Sequence, residues 1–385
     1  MLPIRSNILV QILFLFCCTP GFAIVGGEDA DEGEFPWIAG IVRRDVFPGP
    51  GLVGGGALVG DQWVVTAAHS VFGLSPSNLE VWLNSTDLED SASRQVYGVL
   101  SVVIHPGFAF VEPGASSNDI ALLLLDRRVP GIAPLALIED PADISEGDPV
   151  RVAGWGSSTP GEAAANPRLQ KANAEIVDNS EAETLFGAVV EDTHLAALDP
   201  AGLATPCFGD SGGPLVKQIA GTDRLAGIVS FGGADCSDAT IPTVYTRVPS
   251  YAAWTQARLA LTAVPPRPRL RGRGRNIPRT SIPRLGNGSE IRLPLRRGGA
   301  FVRPYRVVNL GPGLLTIQST SVGGPRFSLA RHPARVLHAG ASAVLRVRVR
   351  APRQGRRFGG RIVLRTNDPA RPVHVFRLAA TRRPR

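Results

Sequence analysis

The chain has 385 residues, 44% of them hydrophobic and 19% charged, proportions of folded domains that exclude wholesale disorder and a polytopic membrane protein. Its 43 glycines and 33 prolines favour strands, turns and loops over long helices and rule against an all-α fold. The net charge of +8 conceals opposed halves: residues 264–385 carry 28 arginines, no lysine and only Glu290 and Asp368 as acids, a net of +26, whereas residues 1–263 carry a net of −18. That asymmetry calls for a domain boundary near residue 264 and for different partners on its two sides.

At the N-terminus, Arg5 precedes an apolar run from Ile8 to Cys18, broken only by Gln11 and followed by Thr19-Pro20 and Gly21-Phe22-Ala23. A positive start, a short hydrophobic stretch and small residues before a cut describe a secretory signal peptide over residues 1–23. The run is too short to span a bilayer comfortably. The expected location is therefore secreted, periplasmic or at the cell surface. Cys17 and Cys18 leave a lipid-modified start as the alternative, which the bulky Phe16 suits poorly. Beyond the signal only Cys207 and Cys236 remain. In an exported protein such a pair implies a disulfide, with two unrelated buried thiols as the alternative. The bridge would close a loop of about 30 residues and contribute roughly 3–4 kcal/mol.

Three segments then follow in the order histidine, aspartate, serine: Val64-Val65-Thr66-Ala67-Ala68-His69, Asn118-Asp119-Ile120-Ala121-Leu122 and Gly209-Asp210-Ser211-Gly212-Gly213-Pro214. A serine hydroxyl is a poor nucleophile until an imidazole takes its proton. The imidazole in turn needs a carboxylate to fix its tautomer and stabilise its cationic form. Glycines around Ser211 allow a tight turn, on which the N–H groups of Gly209 and Ser211 can converge on a developing oxyanion. Asp87, Glu89 and Asp90 read as a solvated acidic loop in preference to a calcium site. No cofactor or metal is expected. Asn84-Ser85-Thr86 and Asn287-Gly288-Ser289 match the N-glycosylation pattern, which is common by chance.

These segments resemble the trypsin-like serine peptidases of the chymotrypsin fold. Ile24-Val25-Gly26-Gly27, Ala153-Gly154-Trp155-Gly156, Ser230-Phe231-Gly232 and Thr243-Val244-Tyr245 extend the resemblance over Ile24 to about Leu261. It implies an all-β architecture of two antiparallel six-stranded barrels with a closing helix. Ala57–Val59, Trp63–Val65, Ile120–Leu125 and Gly227–Val229 suit strands, and Tyr251–Leu261 suits that helix. By resemblance, His69, Asp119 and Ser211 are the catalytic residues, with Ser230 able to support Asp119. The freed ammonium of Ile24 pairs with Asp210. Because Ala23 directly precedes Ile24, removal of the signal would expose that ammonium with no propeptide.

Departures from the family carry information too. Ser70 and Gly54 occupy the two positions where members usually place a bridged cysteine pair, and Val150 and Lys217 stand where another bridge is common. Thr205, six residues before Ser211, replaces the aspartate that a tryptic pocket requires. A basic side chain there would be an unpaired buried charge. Gly232 leaves the pocket entrance open, Thr243 shortens its depth, and Ser230-Phe231-Gly232 pairs with substrate backbone as an extended strand. The expectation is cleavage after small or medium apolar residues, with inward-turned Asp235 or Asp238 as the alternative.

Beyond residue 264, prolines and like charges in Pro265-Pro266-Arg267-Pro268-Arg269 and at Arg271, Arg273 and Arg275 make residues 264–289 an extended, mobile linker. Residues 290–385 turn to short strand-like segments. In Ala343–Arg350, Leu345, Val347 and Val349 alternate with Arg346, Arg348 and Arg350, as in a half-buried strand with an arginine face. Tyr305–Gly311, Leu314–Ile317, Ala339–Ser342 and Arg365–Pro369 resemble the immunoglobulin-like modules called choice-of-anchor D or ASH domains. That resemblance implies a β-sandwich without catalytic groups. The arginine face suits anionic envelope polysaccharide, lipid headgroups or the chain's own acidic protease domain (residues 24–263), or it is solvated surface enriched by a GC-rich genome. Nucleic acid is disfavoured, because no aromatic stacking platform is evident. The expected protein is an exported serine endopeptidase acting on proteins or peptides. The rival is a protease-like binding protein or adhesin that has lost turnover.

Overall fold

A computed structural model describes residues 24–45, 51–111, 114–162, 164–186, 190–263, 268–272, 275–276, 290–293, 300–309, 313–338, 341–350, 357–368 and 373–382. Residues 1–23, with Cys17 and Cys18, and Asn287 lie outside them.

Six strands close the first barrel: β1 (Ile38–Arg43), β2 (Gly51–Gly60), β3 (Trp63–Thr66), β4 (Leu79–Leu83), β5 (Gln95–Ile104) and β6 (Ala121–Leu125). They run in the antiparallel order β1-β2-β3-β6-β5-β4, with β4 returning to β1. Leu79, Val81 and Leu83 of β4 point inward and alternate with Glu80 and Trp82, the period-two pattern of a strand with one wet face. Every residue of β6 is buried, which explains its unbroken apolar sequence.

The second barrel uses β7 (Pro149–Gly154), β8 (Gln170–Val177), β9 (His194–Leu198), β10 (Pro214–Ile219), β11 (Thr222–Phe231) and β12 (Thr243–Arg247). Its order is β8-β7-β10-β11-β12-β9, and β9 pairs back to β8 to close the ring. Val150, Val152, Ile176, Leu195, Leu215 and Tyr245 fill its interior. Val150 and Lys217, the pair standing in for an absent bridge, are direct cross-strand partners in β7 and β10. Among the described residues, three α-helices punctuate the barrels: α1 (Ala68–Val71), α2 (Asn179–Phe186) and the closing α3 (Ala252–Ala263).

Further sheets follow. β13 (Ala300–Asn309), β14 (Leu315–Gly323), β15 (Phe327–Arg331), β16 (Val336–Leu337), β17 (Ser342–Arg350), β18 (Arg357–Thr366) and β19 (Val373–Arg382) build two layers, β13-β17-β15 and β19-β18-β14-β16. Their shared core includes Val307, Leu345 and Val347 from one layer and Ile317, Ile362 and Phe376 from the other. Along β17, Leu345, Val347 and Val349 are buried while Arg346, Arg348 and Arg350 are exposed.

One expectation needs correction. Within the stretch read as a free linker, Pro268–Gly272 forms a strand antiparallel to β13, and Arg275–Asn276 pairs back onto it. The physical reason is the open edge of β13, whose unpaired N–H and C=O groups accept any extended segment. A proline at the first position costs that pairing nothing.

Candidate active site

Ser211 sits on the turn that leads into β10, at the seam between the barrels. Gly209 and Gly212 hold φ values of +100° and +82°, a region that side chains rarely tolerate. A Cβ at Gly212 would also lie 2.2 Å from Thr66 Oγ1. Gly55 of β2 donates its N–H to the Ser211 carbonyl at 2.8 Å. Gly54, beside it, has no room for a side chain, since a Cβ there would stand 2.4 Å from that carbonyl oxygen. The N–H groups of Gly209 and Ser211 make no hydrogen bond to an acceptor among the described residues, so both remain available to a ligand.

His69 lies on α1, immediately after β3. Its Nδ1 is 2.6 Å from Asp119 Oδ2, and its backbone N–H donates to Asp119 Oδ1 at 2.8 Å. Asp119 is fully buried while the imidazole is 23% exposed, so the carboxylate is hidden and the ring is reachable. The preceding Asn118 takes a left-handed backbone at φ +49° and is tied by its side chain to Gly107 and Tyr251. Ser230 Oγ donates to Asp119 Oδ2 at 2.7 Å, and Thr246 Oγ1 donates to the Asp119 carbonyl at 2.8 Å. The first barrel thus supplies imidazole and carboxylate, and strands of the second hold the carboxylate in position.

The structure brings His69, Asp119 and Ser230 into direct contact. It does not join Ser211 to His69 by a hydrogen bond among the described residues; the partner of His69 Nε2 is Ser70 Oγ, at 3.3 Å.

Beside Ser211 opens a cavity of about 470 Å³ lined by Ser230, Phe231, Gly232, Thr243 and the Cys207–Cys236 disulfide, among others. Among the described residues, no carboxylate lines it. Thr205 and Thr243 are buried with their hydroxyls 3.3 Å apart. Thr205 lies beneath the cavity wall and does not line it. Asp235 and Asp238 are exposed and turn toward Ser237 and Thr240 of their own loop. Asp87 and Asp90 likewise accept backbone N–H groups of their own turn.

Asp210 is fully buried, with its carboxylate taking N–H groups from Gly156 at 2.8 Å and Cys207 at 3.0 Å. Burial pushes its carboxyl up to about 7, against the opposing pull of those two donors. Gly154 and Gly156 are obligatory there, because a Cβ on either would fall within 2.4 Å of a carboxylate oxygen. Ile24 is fully buried in the core of the second barrel, and the next residue, Val25, bridges to Thr205.

Ser70, Thr246 and Phe186 were not singled out for these contacts by the sequence. Ser70 stood out only as half of a missing disulfide. Thr246 lies in β12 just beyond the Thr243-Val244-Tyr245 motif. Phe186, at the end of α2, meets Phe231 edge to face at the pocket wall, a contact with no local sequence signal.

Comparison with known proteins adds to this geometry. Residues 24–255 match the sequence model of the family described as Trypsin. A mouse protein named transmembrane protease serine 11C is 32% identical over 247 residues, which cover 63% of this chain and 54% of that protein. The chain thus spans about half the length of this curated relative. The solved structure of neuropsin, a serine protease expressed in the limbic system of mouse brain, aligns with a TM-score of 0.54 at 28% identity, covering 61% of this chain and 99% of that one.

Proposed function

This chain belongs to the trypsin family, and on that premise we propose an exported serine endopeptidase in which Ser211 is the nucleophile, His69 the general base and Asp119 its orienting carboxylate. Ser211 Oγ attacks the substrate carbonyl and its proton passes to His69 Nε2. Asp119 Oδ2 holds the imidazolium through Nδ1–H, and the N–H groups of Gly209 and Ser211 receive the oxyanion. His69 then protonates the leaving amine, and water resolves the acyl-enzyme by the reverse sequence. The observation that carries this reading is the 2.6 Å contact between His69 Nδ1 and a buried carboxylate, beside a glycine-framed serine. A fluorophosphonate should label the protein and fail to label Ser211→Ala. Unlabelled native protein would favour the second reading, a catalytically silent binding protein or adhesin, for which the missing Ser211–His69 bond is the supporting observation.

The pocket supports cleavage after Ala, Val, Leu or Met, since a lysine or arginine would enter a cavity with no carboxylate among its described lining residues. Ile24, freed by removal of residues 1–23, supplies a cation to buried Asp210, whose hydrogen-bond partners among the described residues are backbone N–H groups. Sequencing the N-terminus of the exported protein tests that step, and any start other than Ile24 defeats it.

The division we propose is a protease domain over residues 24–263, a connecting segment over 264–289 and an immunoglobulin-like, ASH-type sandwich over 290–385. Asn309 and Asn367, from the two turns that suggested the module, support it. The side-chain amide of Asn309 donates to the carbonyls of Gly313 and Leu337, and that of Asn367 to the carbonyl of Leu314. The exposed arginines of β17 suit anionic envelope polysaccharide, lipid headgroups or the acidic surface of the protease domain, and nucleic acid least.

A further inference from the structure

The hydroxyl next to the base has no part in the mechanism above. Ser70 Oγ is the hydrogen-bond partner of His69 Nε2, the atom that must accept the proton of Ser211. With Nδ1 committed to Asp119, the neutral imidazole offers one in-plane lone pair at Nε2 and takes one hydroxyl at a time. Gly54 gives Ser70 its room. A Cβ at that position would sit 3.1 Å from Ser70 Oγ and 2.4 Å from the Ser211 carbonyl oxygen, so the two serines flank one small space that any side chain would fill. Gly54 and Ser70, where members of the family usually place a cysteine bridge, together leave a hydroxyl beside the His69 ring.

We infer that Ser70 is a positioning residue that competes with Ser211 for His69 Nε2. It holds the base in a resting arrangement that must be released before the nucleophile can be deprotonated. The inference rests on the serine-peptidase reading and adds no covalent step: the proton Ser70 shares with Nε2 stays on Ser70, and Nε2 takes a proton only from Ser211. The fraction of enzyme with Nε2 free scales the rate of acylation.

The test uses the full exported chain with Ser70→Ala, Ser70→Thr, Ser70→Val and Ser211→Ala variants, following second-order labelling by a fluorophosphonate and hydrolysis of a peptide amide. Ser70→Ala should label about 2–10-fold faster, the factor that loss of one competing hydrogen bond commands. Its kcat should rise with KM unchanged, while Ser70→Thr, which restores the hydroxyl, stays near the native rate. Thr and Val match in shape. If Ser70→Ala melts well below the native protein, a faster Ser70→Val against a native-like Ser70→Thr carries the same result. Ser70→Ala rates at or below native, or Thr and Val variants that behave alike, overturn the competition and leave the peptidase reading intact. Native protein that does not label, or labels equally in Ser211→Ala, removes the peptidase reading and this inference with it.

Discussion

Ser230 and Asp119, 111 residues apart in sequence, share a 2.7 Å hydrogen bond on the same carboxylate oxygen that faces His69 Nδ1. The acceptor is fully buried, so removing the donor leaves a charge with one fewer partner and no water to replace it. Ser230→Ala should lower kcat/KM about 10–100-fold, since a hydrogen bond to a charged group is worth roughly 1.5–3 kcal/mol. Amide hydrolysis measured beside thermal melting checks this, and the melting temperature should fall as well, since the buried carboxylate loses the same partner in the folded state.

Asp210 makes stability depend on pH until a cation reaches it. With residues still attached ahead of Ile24, the folded state keeps the Asp210 proton up to about pH 7, whereas the unfolded chain releases it near the ordinary value of 3.8. The folded state therefore binds more protons between those values, and stability falls as the pH rises through that window, then levels off. The loss is on the order of 4 kcal/mol. Melting curves of inactive Ser211→Ala protein should show this decline in the extended chain and a flatter profile once Ile24 is the first residue.

Pocket depth gives a prediction of its own. Replacing Thr243 by glycine removes a branched side chain from the cavity lining. Preference should move from Ala and Val toward Leu and Phe by about tenfold, the scale of one or two methylene groups in an apolar slot. A peptide library read by mass spectrometry checks it. Cleavage after Lys or Arg should stay the weakest in both proteins.

The arginine face should reveal itself by its response to salt. Arg346, Arg348 and Arg350 project on the same exposed side of β17, and Arg331 of β15 stands directly opposite Arg346, a like-charge pair that favours an anion between them. Retention on anionic vesicles should fall steeply with ionic strength and should drop on Arg348→Glu, while peptide hydrolysis is unchanged. Retention that salt does not alter would remove the electrostatic reading.

Much of this molecule was legible where a side chain's neighbours are local or where a motif demands one backbone. The alternation of Leu345, Val347 and Val349 with arginines fixes a strand and its buried face without reference to anything distant. The glycines around Ser211 announce a turn because side chains rarely accept those φ values. What stayed hidden depends on surfaces that meet only after folding. The strand at Pro268–Gly272 exists because β13 offers an open edge, and nothing in its own residues names that partner. Ser70 read as the absence of a cysteine, since the position of its hydroxyl depends on the space left by Gly54 across the barrel.

Each barrel holds a piece of the other's machinery: Gly55 of the first grips the Ser211 carbonyl, and Ser230 and Thr246 of the second grip Asp119. Cut between them, the two halves would be inert fragments, each missing the clamps that shape its own reacting groups. Mixed together, they would have to rebuild the seam before any turnover returned, which makes recovered hydrolysis a direct gauge of their reassembly.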